Sequence, residues 1–258
     1  MSLRRKHRLT LFLYGAYLIL ALFFSLGPIF EGPDEIEHYR YIRSIATQGI
    51  LPNLHGQPRG EFHQAPLYYL LAAPLDSLLK DNDFAQIDAS KNPFYGWLVY
   101  LPGNDNKNLY LHARAENFPF TGSETALSVH LIRLISIVLG LGTVITSNAI
   151  FRLLWPDKPF QVLLALSILV FWPQFLYISS TINNDNALIF LATVSFWLLL
   201  KQLQDGPSRR LAIWLGIALG GLFLSKVSGF FIIFPVGAAF ALDRRSWRFL
   251  PIVMVFTL

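Results

Sequence analysis

The residues able to do chemistry fall in three short segments: Glu31-Gly32-Pro33-Asp34-Glu35-Ile36-Glu37-His38, Asn183-Asn184-Asp185-Asn186, and Lys226. Asp34 and His38 are four apart, which puts them on one face of a helix, with Glu35 and Glu31 close by. A carboxylate so placed can take a proton from a hydroxyl. Acids in a first helical turn also complement the helix dipole, for about 0.3–1 kcal/mol each, and that is the plainer reading of Glu37. Asp34, Glu35 and His38 are compatible with a divalent cation, but no Glu-x-x-His or His-Glu-x-x-His spacing supports a metal centre. The Asn-rich turn precedes the apolar run beginning at Ala187 and so reads as an N-cap. A helix start facing water can also bind a phosphate, directly or through a cation. Lys226 either snorkels to the interface or neutralises a lipid-borne phosphate. His55, His63 and His112 read as loop residues with ordinary hydrogen bonds.

The elements that must carry these groups are membrane helices. Charged residues make up only 14% of the 258-residue chain, against 53% hydrophobic, and soluble domains carry nearer to 25% charge. Leu9–Phe30 holds no charged residue and is long enough to cross about 30 Å of hydrocarbon. A cleaved signal is the competing reading, since Arg4, Arg5, Lys6 and Arg8 precede the run, but the run exceeds a usual signal core and Pro28 follows the candidate cleavage site. Further runs are Leu127–Phe151, Phe160–Ile178, Ala187–Leu200, Leu211–Leu224 and Phe230–Leu242, with Phe249–Leu258 beginning another. The expected fold is therefore all-α, a polytopic transmembrane bundle of about six complete helices and a partial seventh. Because the last run stops uncapped, residues 1–258 read as one membrane domain and as the N-terminal part of a longer protein.

Charge sets the expected orientation. With a cytoplasmic N-terminus the inner segments carry 12 Lys/Arg while the short outer turns carry only Lys226. This places residues 31–126, a loop of 96 residues with net charge −5, together with the turns at Asn184 and Lys226, outside the cytoplasm. All three polar segments then share one face of the bilayer. Within the loop, Gly32-Pro33-Asp34-Glu35 opens a helix that closes at Gly49, and Pro66–Leu79 forms a second, too short to cross, lying on the membrane surface or packed on the bundle. Residues 80–125, rich in Asn, Asp, Pro and Gly with scattered aromatics such as Trp97, read as an ordered insertion with many turns.

The chain has no cysteine, which excludes disulfides, thiolate metal sites and cysteine nucleophiles. No Walker loop, Gly-x-Gly-x-x-Gly or Gly-x-Ser-x-Gly is present, so nucleotide-driven chemistry has no support. The net charge of +5 lies in short basic segments between apolar runs and does not point to nucleic acid. A transferase, a carrier for a lipid-linked or anionic solute, and a non-catalytic scaffold all remain open on these grounds. Transporters commonly place charges in unwound midplane segments, whereas the polar groups here lie at helix ends.

Taken in order, the segments resemble a family. A basic start and one helix are followed by Gly32-Pro33-Asp34-Glu35 with His38 and Tyr41, then Gly49-Ile50-Leu51-Pro52 and His63-Gln64-Ala65-Pro66-Leu67-Tyr68-Tyr69-Leu70. His130-Leu131-Ile132-Arg133-Leu134 opens the next helix, and Asn183-Asn184-Asp185 and Ser225-Lys226 come later. This set is similar to the N-terminal half of bacterial GT-C glycosyltransferases, such as protein O-mannosyltransferases and the aminoarabinose transferases of lipid A. Ala65 stands where many relatives have a second proline, and the insertion at residues 80–125 is longer than in better-known members. The resemblance implies transfer of a sugar from a polyprenyl-phosphate donor to a glycan, lipid or protein acceptor outside the cytoplasm, in a multi-pass protein of the cell (inner) membrane. It implies Asp34 and Glu35 at the reacting centre, with His38, His63, Arg133, Asn184, Asp185 and Lys226 as candidate substrate-binding groups.

Overall fold

The long apolar run of the first helix meets Gly27-Pro28, where a proline removes a backbone donor and clashes with the preceding turn. In a computed structural model, which describes residues 3–52, 60–79, 83–95 and 105–257, helix α1 (Leu3–Ser25) ends there. Its last carbonyls do not face lipid unpaired. Arg133 donates to the carbonyls of Ser25 (2.9 Å), Gly27 (2.6 Å) and Pro28 (3.0 Å), and His130 Nδ1 lies 2.8 Å from Ser25 O. Buried carbonyls need such partners, and here they come from another helix.

That helix, α5 (Glu124–Leu154), is the axis of the bundle and contacts α1, α3 (Leu67–Asp76), α6 (Pro159–Val170) and α8 (Asp185–Asp205). Glycines on it admit close neighbours. A Cβ on Gly140 would fall 1.9 Å from the hydroxyl of Tyr17 on α1, and one on Gly142 would fall 2.5 Å from the ring of Phe190 on α8. Small residues let helices approach in this way where lipid provides no hydrophobic drive. The α5 start is capped by Ser123, whose side chain accepts from Ala126 N.

After α5 come α6 (Pro159–Val170) and α7 (Pro173–Ile178), α8 (Asp185–Asp205), α9 (Arg209–Phe223), a 3₁₀ segment leading into α10 (Ile233–Leu242), and a second 3₁₀ segment leading into α11 (Leu250–Thr257). Continuous helix supports fewer crossings than the six read from apolar runs. Among the described residues three helices, α1, α5 and α8, are long and apolar enough to cross a membrane, and a fourth counts if Val227–Leu242 and Arg244–Thr257, bent by 118°, form one span. The reason is local: Pro173 restarts the third run as a separate helix, and α9 has 15 residues, about 22 Å. Apolarity marks what lipid tolerates, not where the hydrogen-bond ladder breaks. At the far end of α8, Gln202 Nε2 donates to Ser246 Oγ (2.9 Å), and the backbone of α11 lies against Gly216 and Gly220 of α9.

The loop helices form where expected. Helix α2 (Glu35–Gln48) stops at Gly49, which takes the left-handed conformation (φ 68°) and returns its N–H to Ile45 O, a residue-specific stop because glycine carries no Cβ penalty there. Helix α3 (Leu67–Asp76) packs on the bundle: Tyr68 Oη lies 2.7 Å from Ser136 Oγ, and Ser128 donates to Asp76. Tyr39, Ile42, Tyr68, Tyr69 and Phe30 are buried together with Val129 and Ile132 of α5. In the insertion, α4 (Phe84–Ala89) precedes an isolated bridge between Lys91 and Tyr110. Trp97 and His55 lie outside the described residues.

Candidate active site

Adjacent acids that look interchangeable in sequence are separated by the backbone. Asp34 adopts a left-handed conformation (φ 54°, ψ 13°) just before α2, a region that Asp visits more readily than most residues. Its carboxylate makes no capping hydrogen bond and is exposed. Glu35, one residue on, is fully buried. Its Oε1 accepts from Arg133 Nε (2.8 Å) and Ile182 N (2.9 Å), and its Oε2 from Arg133 Nη2 (2.7 Å) and Phe30 N (2.9 Å). Burial pushes the Glu35 carboxyl up, but the charge and hydrogen bonds of Arg133 and the two backbone N–H groups outweigh it and leave it below its ordinary value. Glu35 is thus a peg tying the Phe30–Asp34 turn to α5 and to the segment before α8. Gly32 completes the fit, since a Cβ there would lie 3.0 Å from Thr181 Cγ2.

Two residues that the resemblance places at the reacting centre or on the substrate have structural partners here. Glu35 and Arg133 are bonded to each other, and Arg133 commits its other donors to the carbonyls of Ser25, Gly27 and Pro28. A cation held jointly by Asp34, Glu35 and His38 does not fit either, because Glu35 points inward, and among the described residues no group of three or more His, Asp or Glu side chains is placed to hold a metal ion.

Above the peg the remaining candidates gather. His38, on the first turn of α2, is buried, with Nδ1 2.8 Å from Tyr69 Oη. Burial holds its pKa below the ordinary value; Lys226 lowers it further, while Glu61, Asp34 and Asp185 act in the opposite sense. The four charged groups around His38 therefore come from four separate stretches of chain. Lys226 Nζ donates to Asp185 Oδ1 (2.7 Å) in a half-buried pair. Asn184 is fully buried and donates to Ser225 O (3.0 Å) and Gln64 Oε1 (3.3 Å), while Gln64 Nε2 donates to Glu61 Oε2 (3.0 Å). Leu67 N donates to Leu224 O (2.8 Å), which fastens the start of α3 to the Lys226 turn. His63 is exposed at the rim, 3.4 Å from Glu61.

A family model for dolichyl-phosphate-mannose-protein mannosyltransferase matches residues 81–250, more than half of the chain. The chain belongs to this family. No curated protein and no solved structure matches it. Membership makes it a membrane glycosyltransferase of the kind that draws on a polyprenyl-phosphate sugar donor, in keeping with its long apolar helices.

For a mannosyltransferase-family chain the arrangement can do two things: accept a proton at the exposed Asp34, and meet negative charge at Lys226. In the Asn-rich turn the cap falls to Asn183, whose Oδ1 accepts from Asp185 N (2.8 Å), while Asn184, next to the start of α8, makes no side-chain cap. Asn184 acts as a bolt between the loop and the Lys226 turn. Sequence reasoning missed Glu61 and gave Tyr69 and Gln64 no role. Tyr69 carried a signal, its place in the aromatic pair opening an apolar helix; Glu61 sits in a stretch without periodicity and carried none.

Proposed function

We propose that the protein transfers a hexose from a polyprenyl-phosphate donor to an extracytoplasmic acceptor by an inverting displacement in which Asp34 is the general base. The acceptor hydroxyl gives its proton to Asp34 as its oxygen bonds the anomeric carbon, and the bond from that carbon to the phosphate breaks on the opposite face. The electron pair leaves on the lipid phosphate, whose charge Lys226 offsets. His38, with its pKa held down, stays neutral near pH 7 and can share a hydrogen bond with a sugar hydroxyl or hold Tyr69 in place. His63 and Asp185 stand at the rim as further contacts for the donor. Membership of this family favours mannose and a protein acceptor, and supports a transferase over a carrier or scaffold. The basic residues at the opposite helix ends favour a cytoplasmic N-terminus and a site on the outer face of the cell membrane.

The observation that carries this reading is the split between the neighbours: Glu35 is locked, whereas Asp34 is exposed and makes no capping hydrogen bond, and Asp34 and the Lys226–Asp185 pair all act on His38. The matched range begins after this segment, so Asp34 rests on that geometry and on its motif. In the full-length protein Asp34→Asn should keep expression and donor affinity and slow turnover of polyprenyl-phosphate mannose by about 10²–10⁴-fold. Retention of more than about a tenth of the rate, a loss under about 1.4 kcal/mol, would refute Asp34 as the base.

A further inference from the structure

Away from the proposed site, at the opposite ends of the helices, the start of α1, the end of α5 and the start of α6 enclose a cavity of about 390 Å³ lined by Lys6, His7, Thr10, Arg152, Trp155 and Pro159. No carboxylate lines it. Residues 1–30 contain no acid at all, and the one acid of the α5–α6 turn, Asp157, is exposed and outside the lining. Lys6 is half-buried, and the exposed Arg152 places Nη2 3.4 Å from Thr10 Oγ1, so both cations stand at the mouth of the cavity.

Pro159 and Leu163 also line a second cavity of about 580 Å³, an apolar groove between α1 and α6 walled by Leu9, Phe12, Leu13, Phe160, Leu164 and Phe171. Lys6 to Leu13 is about 10 Å along a helix, so the lining changes from cationic to apolar, apart from Ser167, whose hydroxyl donates to Leu163 O, over the depth at which a lipid changes from headgroup to acyl chain. A tryptophan at that boundary fits the same interface.

We propose that this continuous groove is a binding site for an anionic diacyl phospholipid of the leaflet at the amino end of α1, its phosphate held by Lys6 and Arg152 and one acyl chain lying between α1 and α6. An apolar groove alone accepts any lipid. The cationic, acid-free mouth selects net negative charge, each basic group contributing about fivefold near a lipid surface. The proposal does not depend on the transfer reading, and its failure leaves Asp34 untouched.

The test uses the full-length protein in phosphatidylcholine vesicles containing rising fractions of dibromo-phosphatidylglycerol or dibromo-phosphatidylcholine. The signal of Trp155, isolated as the difference between wild type and Trp155→Phe, should reach half-quenching at about a tenfold lower mole fraction of the anionic lipid. Lys6→Gln/Arg152→Gln should abolish that preference, and Lys6→Arg/Arg152→Lys should keep it. Unlabelled phosphatidylglycerol should restore wild-type fluorescence far better than phosphatidylcholine, a measurement that needs no variant. Equal quenching by both lipids, equal restoration by both competitors, or a preference surviving in the double Gln variant would overturn the proposal. So would absence of quenching by either lipid, which would mean that protein covers the groove.

Discussion

Replacing Glu35 and replacing Asp34 should damage the protein in opposite ways. Glu35→Gln removes one acceptor oxygen from a buried site where four donors converge, and turns an NH2 group toward two of them. It also leaves the Arg133 guanidinium, itself 3% exposed, without its counter-charge. Breaking one side of a buried ion pair costs about 3–5 kcal/mol, because the remaining charge loses its compensation without regaining water. At about 2–4 °C per kcal/mol for a domain of this size, the unfolding midpoint should fall by roughly 6–20 °C. Arg133→Met should do similar harm, with the added loss of three hydrogen bonds to the carbonyls of Ser25, Gly27 and Pro28. Asp34→Asn, at an exposed carboxylate, should shift the midpoint by no more than about 2 °C, in line with surface substitutions within about 0.5 kcal/mol, while losing turnover. Thermal unfolding of the purified full-length variants, followed by tryptophan fluorescence and paired with donor turnover, separates the two. If Glu35→Gln unfolds at the wild-type temperature yet loses as much rate as Asp34→Asn, the division into peg and base is wrong.

The arm around Tyr110 should be most protease-resistant between pH 4.5 and 6.5. His112 lies between Glu31 (2.9 Å) and Glu116 (2.8 Å), and Glu31 also accepts from Leu109 N and Tyr110 N. Burial raises the Glu31 carboxyl, but His112 and those N–H groups outweigh it and leave it below 4.5, so its contribution is present above 4.5 and is lost as pH falls through the lowered value. Burial lowers the His112 pKa, but the two glutamates outweigh it and lift it above 6.5, so its contribution is full below 6.5 and is lost as pH rises through the raised value. Limited proteolysis across pH should show this maximum, and His112→Gln should flatten its upper edge; an unchanged profile would refute the bridge. For topology, cysteines at the exposed positions Asp105 and Arg209, in a chain without its own, should label from outside and inside respectively with an impermeant thiol reagent; labelling of 209 but not 105 in intact cells would reverse the orientation. Gly216→Val should destabilise the α9–α11 contact by about 1–3 kcal/mol, since a Cβ there already meets Val253 O at 2.7 Å; an unchanged midpoint in thermal unfolding would count against that packing.

Everything governed by local chemistry or by transfer to lipid could be read from the chain alone. The apolar runs, the stop of α2 at Gly49, the two helices of the loop and the clustering of polar groups at one set of helix ends were all legible, because each follows from a few neighbouring residues and the bilayer thickness. The continuity of the spans was less so. Pro173 divides the run read as Phe160–Ile178, and the shortness of α9 and the 118° turn at Asp243 depend on how the ends pack. Which carboxylates are exposed and which are locked was decided by the packed fold. Asp34 and Glu35 are neighbours of the same charge, and what distinguishes them is Arg133, 98 residues away, together with the Ile182 N–H and a left-handed turn that throws one carboxylate out as it drives the other in. Asn183 and Asn184 divide the work of one turn: Asn183 Oδ1 accepts from Asp185 N at the start of α8, a local contact, whereas the Asn184 amide donates to Gln64 and Ser225, which are distant in sequence. A buried polar group must find its partners wherever the fold supplies them, and composition and spacing along the chain do not encode that distance.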